Sequence, residues 1–363
     1  MSTVLVTAGP IPAKVDAVKF ITNRFKGGLA VKTAHMLRER GHDVTLMAWE
    51  HSDLQTDLPL IRVTDVYDYY NKVLDFQADA YVLAAAVANL GPVAPIEGKF
   101  PSHKYQVGEV FSIEFTIMPR VIDEIKKKRP ASTLIGYKLL DVNDEELIRV
   151  GRHTLYQSRA NLVFANHPSW AKNRKIAITA DGAAFDVDFE SHVSLIDRLL
   201  RQTFYHTTIT SESCPKLSEE QQYVVENYPR TALDGMVFGT FAIKMAGGFI
   251  TTTRGKKSGE SDLSFVTKVD HGKHEVTANK KATLNAPLLH RLLEQFPNVN
   301  YIVHDHELIG TALQGDYQFP GTDGDNLNAP SELSEANSFC FQLPHHGYVA
   351  GFSDFSDCRR FLK

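Results

Sequence analysis

Cysteine is scarce in this 363-residue sequence, at Cys214, Cys340 and Cys358 only, and no two of the three form a CxxC pair. That excludes a disulfide framework and fits a reducing cytosol. No apolar run exceeds the nine residues Ala80–Ala88, about half of the roughly 20 that a membrane-spanning helix needs. The opening MSTVLVTAG has no basic segment and no cleavage-like site, so no leader is expected. Neither sign of charge dominates: 39 Lys plus Arg against 43 Asp plus Glu leave a net −4. A nucleic-acid scaffold and a membrane-surface binder are thereby disfavoured. GxGxxG, internal repeats and low-complexity tracts are also missing. The expectation is a cytoplasmic protein with no nucleic-acid or membrane partner.

What is present is a globular balance, 43% hydrophobic and 23% charged, over a length that suggests two domains. In the first half, β-rich runs at Val4–Gly9, Asp43–Trp49, Leu60–Val63, Tyr81–Val87, Thr133–Leu139 and Asn161–Asn166 alternate with helical stretches. Helices are expected at 28–40, 121–128, 145–157 and 194–202. Such alternation predicts a mostly parallel sheet covered on both faces. A polar, turn-rich stretch follows, and the domains are placed at 1–205 and 218–363 with a linker at 206–217. The second half predicts a helix at 218–227 opened by a capping box at Ser218, then turn-separated β runs in a largely antiparallel sheet. A helix at 285–295, a strand at 300–304 and a last strand–turn–helix complete it.

The first strand ends in Thr7-Ala8-Gly9-Pro10. A glycine there lets a ligand approach the backbone beside a helix N-terminus, although a plain structural turn explains it equally. VLVTAGP, FITNRFKGG (Phe20–Gly28), AAAVAN (Ala84–Asn89) and FAN (Phe164–Asn166) occur in order. Together they resemble the phosphopantothenate–cysteine ligase domain, a Rossmann-like fold, over about residues 3–200. That family activates a carboxylate with CTP, or ATP in some branches, and passes the acyl group to an amine. The resemblance implies catalytic roles for Asn23 and Lys99. It implies nucleotide binding by Gly9, Pro10, Gly27, Ala86, Asn89, Lys104 and Asn166. Several family positions differ: SSGKMG is FKGGLA, AAVAD is AAVAN, GFAAET is GYKLLD (Gly136–Asp141), and AND is ANH ending in His167. CTP or another nucleotide is the implied substrate; no flavin domain accompanies it, so FMN is not implied.

In the second half HDH, His304–His306, follows the apolar run NYIV. Residues i and i+2 of a strand share a face, so both imidazoles can reach one ion. A third ligand comes from His345 or His346, and three neutral imidazoles make a zinc site with an open position. Hydrogen-bonded or surface histidines are the plain alternative. GTFAIK, FITTTRG, KATLN, FPNVNYIVHDH and LPHHGYVAG appear in sequence, and together they resemble the class II aldolase/adducin family over about 218–358. The resemblance implies Zn²⁺, or another divalent metal, on His304, His306 and His346. It places substrate-phosphate contacts at Thr240, Thr252, Thr253 and Thr283, with Arg254 and Lys256 nearby. Asn285 stands where the family's acid/base Glu is expected, and an amide cannot shuttle a proton. Asp305 points away from the ligands and reads as a surface charge; His290 reads as packed.

The fold class is α/β: a Rossmann-like, mostly parallel sheet domain followed by a class II aldolase-like α/β domain. The expected function is a metabolic enzyme with metal-dependent aldolase-type lyase or epimerase chemistry. Its substrate would be a small phosphorylated or nucleotide-linked carbonyl compound, handled beside a CTP-ligase-like nucleotide domain. A phosphopantothenate–cysteine ligase-type enzyme and a non-catalytic scaffold are the alternatives. Both resembled families form symmetric oligomers, so a homo-oligomer is expected.

Overall fold

The computed structural model describes residues 1–170, 173–255, 263–307, 317–325 and 337–363. The chain divides into two units: Met1–Ala180 with Asp186–Arg201, and Asp181–Phe185 with Gln202–Lys363. Among the described residues, no helix is long and apolar enough to cross a membrane. The stretch expected as a linker holds a strand, His206–Ile209, that belongs to a sheet of the second unit.

The first unit is built on an eight-stranded sheet. In chain order its elements begin with β1 (Thr3–Ala8), α1 (Gly28–Glu39), β2 (Asp43–Trp49), β3 (Leu60–Val63), α2 (Val66–Asp75) and β4 (Ala80–Leu83). They continue with α3 (Ile122–Lys128), β5 (Thr133–Leu139), α4 (Asp144–Ser158), β6 (Leu162–Asn166), β7 (Lys175–Thr179), β8 (Ala184–Val187) and α5 (Phe189–Arg201). The spatial order is β8-β7-β6-β5-β4-β1-β2-β3. From β3 to β6 every pairing is parallel, whereas β7 runs antiparallel to β6. Val4, Leu5 and Val6 are buried without alternation, as a strand covered on both faces requires. Helix α5 presents His192, Val193, Ile196 and Leu199 inward, an i, i+1, i+4, i+7 stripe.

Three expectations for this unit change. Helix α2 was not anticipated: Asp65 caps it by accepting from Tyr67 and Asp68 N–H, while Tyr69 and Val73 are buried. Helix α5 begins at Phe189 rather than 194. The run expected as one strand, Tyr81–Val87, breaks after Leu83, where Thr7 Oγ1 takes the Ala85 N–H at 3.1 Å. Ala86–Val87 then pairs with Pro10–Ile11 instead.

The second unit also holds an eight-stranded sheet. Its elements begin with β9 (His206–Ile209), α6 (Glu219–Asn227), β10 (Thr240–Met245), β11 (Gly248–Thr252), β12 (Leu263–Asp270) and β13 (Glu275–Ala278). They end with α7 (Ala286–Gln295), β14 (Tyr301–Asp305), β15 (Ser338–Leu343), β16 (Gly347–Phe352) and α8 (Phe355–Phe361). The order is β9-β13-β12-β11-β10-β14-β16-β15, antiparallel except for the parallel edge pair β9/β13. The Ser218 capping box forms as expected, with both reciprocal hydrogen bonds to Gln221. Helix α7 buries Leu288, Leu289 and Leu292 in a cluster with Phe249, Ile302 and Val349. Strand β14 is buried along its whole length, so the HDH motif starts inside the core rather than on the surface.

Candidate functional site

In the first unit, the turn after β1 and the start of α1 close on one another. Gly9 and Gly27 both have positive φ, 74° and 83°, and a Cβ on Gly27 would lie 2.4 Å from the Gly9 nitrogen. Only glycine permits that approach. Gly27 is the N-cap of α1 and supplies no side-chain cap, and the first turn carries no acid. The first N–H groups of α1 therefore face outward with the positive end of the helix dipole, a ready anion seat. Ala86 N–H donates to Gly9 C=O at 2.9 Å, and Asn23 Nδ2 donates to Ala86 C=O at 3.0 Å. Gly9, Pro10, Asn23, Gly27 and Ala86 are thus brought together. Lys99, Lys104 and Asn89 lie exposed on the following segment. Asn166 ends β6 with its Oδ1 buried and making no hydrogen bond among the described residues. Two departures from the ligase motifs meet: His167 Nε2 lies 2.8 Å from Asp141 Oδ1.

In the second unit, His304, His306 and His346 converge, with one ring nitrogen of each within 4.8 Å of the others. Ring centroids are 4.8–5.1 Å apart. His304 Nδ1 is held by the Tyr348 carbonyl at 2.8 Å, which fixes the tautomer and turns Nε2 toward the cluster. His346 is buried, and neither ring nitrogen makes a hydrogen bond among the described residues. Burial, followed by the neighbouring His346 and His304, drives His306 well below the ordinary histidine range. Burial does the same for His346. Three imidazoles brought this close, with His306 and His346 held in the neutral form, fit a divalent cation such as Zn²⁺.

The chain reaches this arrangement through Gly347. Its φ is +81°, and a Cβ there would lie 2.0 Å from Asp305 C=O and 2.5 Å from His306 Cα. The absence of a side chain lets β16 start against the HDH segment and carry His346 inward. His345 instead is exposed and stacks on Phe185 at 4.6 Å, so of the two candidate third ligands the structure brings His346 to the cluster.

Asp181, which the sequence reading missed, lies in the 181–185 segment of this unit. Its Oδ2 is 3.3 Å from His346 Nε2, and Tyr317 O–H donates to Oδ1 at 2.6 Å. The Asp181-Gly182 pair signals a turn, but no local signal says where that turn docks. Asp305 is buried rather than a surface charge, and it accepts from Thr231 Oγ1 at 2.8 Å.

Thr240 is in register with His304 on the adjacent strand, and its hydroxyl lies 2.7 Å from that of Thr252. Thr283 N–H donates to Thr252 C=O, and Arg254 N–H to Lys281 C=O, both at 2.9 Å. This places Thr252, Thr253, Arg254 and Thr283 on two adjoining segments. The Arg254 Nε is buried and makes no hydrogen bond among the described residues, and burial pulls its guanidinium down to about 10. Lys256 lies outside the described residues. Asn285 is the N-cap residue of α7, and its Oδ1 is likewise buried without a hydrogen bond among the described residues.

Residues 1–201 match the DNA/pantothenate metabolism flavoprotein C-terminal domain family. The chain belongs to that family. A relative, the coenzyme A biosynthesis bifunctional protein CoaBC of Thermococcus kodakarensis, is 29% identical over 168 residues, 45% of this chain and 40% of its own length. The chain thus spans about two fifths of the curated relatives it matches. The solved DNA/pantothenate metabolism flavoprotein from Streptococcus pneumoniae is 22% identical, with a TM-score of 0.46, over 54% of this chain and 96% of that one. YgbL from Klebsiella pneumoniae, provisionally named an aldolase/epimerase/decarboxylase, is 19% identical with a TM-score of 0.30, over 40% of this chain and 84% of that one.

Proposed function

We propose that this chain is a two-domain metabolic enzyme. Its second unit carries out metal-dependent lyase or epimerase chemistry on a small phosphorylated or nucleotide-linked carbonyl compound. The convergence of His304, His306 and His346 carries this reading. A divalent ion held by the three imidazoles would polarise a substrate carbonyl as a Lewis acid. Asp181 Oδ2 would take the proton from the carbon beside that carbonyl and return it to the product, the task Asn285 cannot perform, while Tyr317 holds the other carboxylate oxygen in place. Asn285 orients the substrate through its amide oxygen. Thr240, Thr252, Thr253, Thr283 and Arg254 receive the phosphate.

The test is aldehyde release from a panel of sugar phosphates, with and without chelator. Asp181→Asn is expected to lower kcat by about 10²–10⁴-fold with metal content unchanged. Chelator-insensitive turnover, or full activity in Asp181→Asn, sinks the reading.

Family membership favours a second activity in the first unit. There the Gly9–Gly27 seat would hold the phosphates of CTP or another nucleotide, and Asn23 would accept from the incoming amine through Oδ1 and donate its second Nδ2 N–H to the acyl oxygen, with Lys99 and Lys104 neutralising charge. Release of pyrophosphate from CTP in the presence of 4′-phosphopantothenate and cysteine supports it; its absence confines nucleotide to a binding role. A soluble cytoplasmic homo-oligomer accords with both activities.

A further inference from the structure

The second unit holds another convergence of donor atoms, and the chemistry above does not use it. His290 and Glu294 stand one turn apart on α7, so their side chains share a face. His271 reaches them from the turn after β12. His271 Nε2 lies 3.2 Å from His290 Nδ1, His290 Nδ1 lies 3.3 Å from Glu294 Oε2, and His271 Nε2 lies 3.9 Å from the same oxygen. Ligands at about 2.0–2.2 Å in a tetrahedral site sit about 3.3–3.5 Å from one another. Two of the three edges, 3.2 and 3.3 Å, lie close to that spacing, and the His271–Glu294 edge, at 3.9 Å, exceeds it by about 0.4 Å, a gap that a turn of the exposed Glu294 side chain closes.

Tyr205 O–H lies 2.6 Å from His271 Nδ1, so the other face of that ring is turned to His290. Between two neutral rings, at most one N–H lies along each contact, and Glu294 Oε2 brings only lone pairs. Tyr205, itself buried, fixes the His271 ring as an outer hydrogen-bond partner does in metal sites. The glutamate is 62% exposed, which leaves solvent access for loading and for a fourth ligand.

We propose that His271, His290 and Glu294 form a second binding site, for a borderline-soft divalent transition ion such as Zn²⁺, separate from the His304/His306/His346 triad. The ion would pin α7 to the turn after β12, which is a structural role. This inference stands whether or not the triad is catalytic.

The probe is Zn²⁺ alone, measured on the full chain by equilibrium dialysis with elemental analysis, and Co²⁺ absorption in parallel. Wild type is expected to hold about two ions per chain and His304→Ala/His306→Ala about one. Glu294→Ala, an exposed change that leaves the core intact, should weaken the remaining site at least tenfold, and His290→Gln should abolish it. Should the triad variant fold poorly, the same two substitutions in the wild-type chain must remove one ion of the two. Zn²⁺ binding by Glu294→Ala and His290→Gln at wild-type stoichiometry and affinity would overturn the site.

Discussion

Replacing Gly347 by alanine tests how the triad is assembled. The added Cβ would sit 2.0 Å from Asp305 C=O, and ordinary contact begins near 3.4 Å. The two segments must therefore part by 3.4 − 2.0 = 1.4 Å, or the turn must refold. Metal–ligand distances tolerate only about 0.2 Å, so His346 leaves coordination range either way. The left-handed backbone costs alanine about 1–2 kcal/mol, and overpacking adds about 1–3 kcal/mol. A destabilisation of about 2–5 kcal/mol by urea unfolding is expected, with loss of one zinc equivalent. His345→Gly is the matched control. His345 also has positive φ, 55°, so relief of strain there offsets the greater unfolded-state freedom of glycine, and stability should change by less than about 1 kcal/mol with zinc retained. A Gly347→Ala protein with wild-type stability and full metal would refute the reasoning.

Other outcomes follow from the same geometry. His192 is buried against Tyr137, 2.5 Å away, and burial lowers it to about 3. The unfolded chain takes up this proton near pH 6.5 while the folded chain does not, so its contribution is complete above pH 6.5. It is lost as pH falls toward 3, at a slope of about 1.4 kcal/mol per pH unit. Urea midpoints across pH 4–7 should flatten in His192→Gln; an unchanged slope rejects the assignment. Gly27→Ala, which collides with Gly9, should remove the thermal shift given by CTP, and a retained shift would place nucleotide elsewhere. Arg254→Ala should raise the Kd for a sugar phosphate about 10–150-fold, from the usual value of a charged hydrogen bond; equal affinity would take Arg254 out of the phosphate site.

Alternating strand and helix signals located most of the first unit, because each segment buries one face at its own period. Helix α2 escaped notice because its inward face is only Val66, Tyr69 and Val73 among polar neighbours. The early end of β4 depends on a hydrogen bond from Ala85 to Thr7 across the fold, which no local pattern encodes. The HDH spacing made two of the three converging histidines legible, and a glycine after His346 pointed to the third. Asp181 was illegible because its role follows from where a turn docks, some 120 residues upstream of β14 in the chain. Asp305 misled for a related reason: alternation correctly turned it away from the histidines, but Thr231 packs over that face too.

The central claim is that three imidazoles hold one ion, and elemental analysis of the purified protein after zinc loading and exhaustive dialysis tests it most directly. The account predicts that His346→Ala carries one zinc fewer per chain than wild type, with the same urea midpoint for the first unit. Equal zinc content in the two proteins would contradict it.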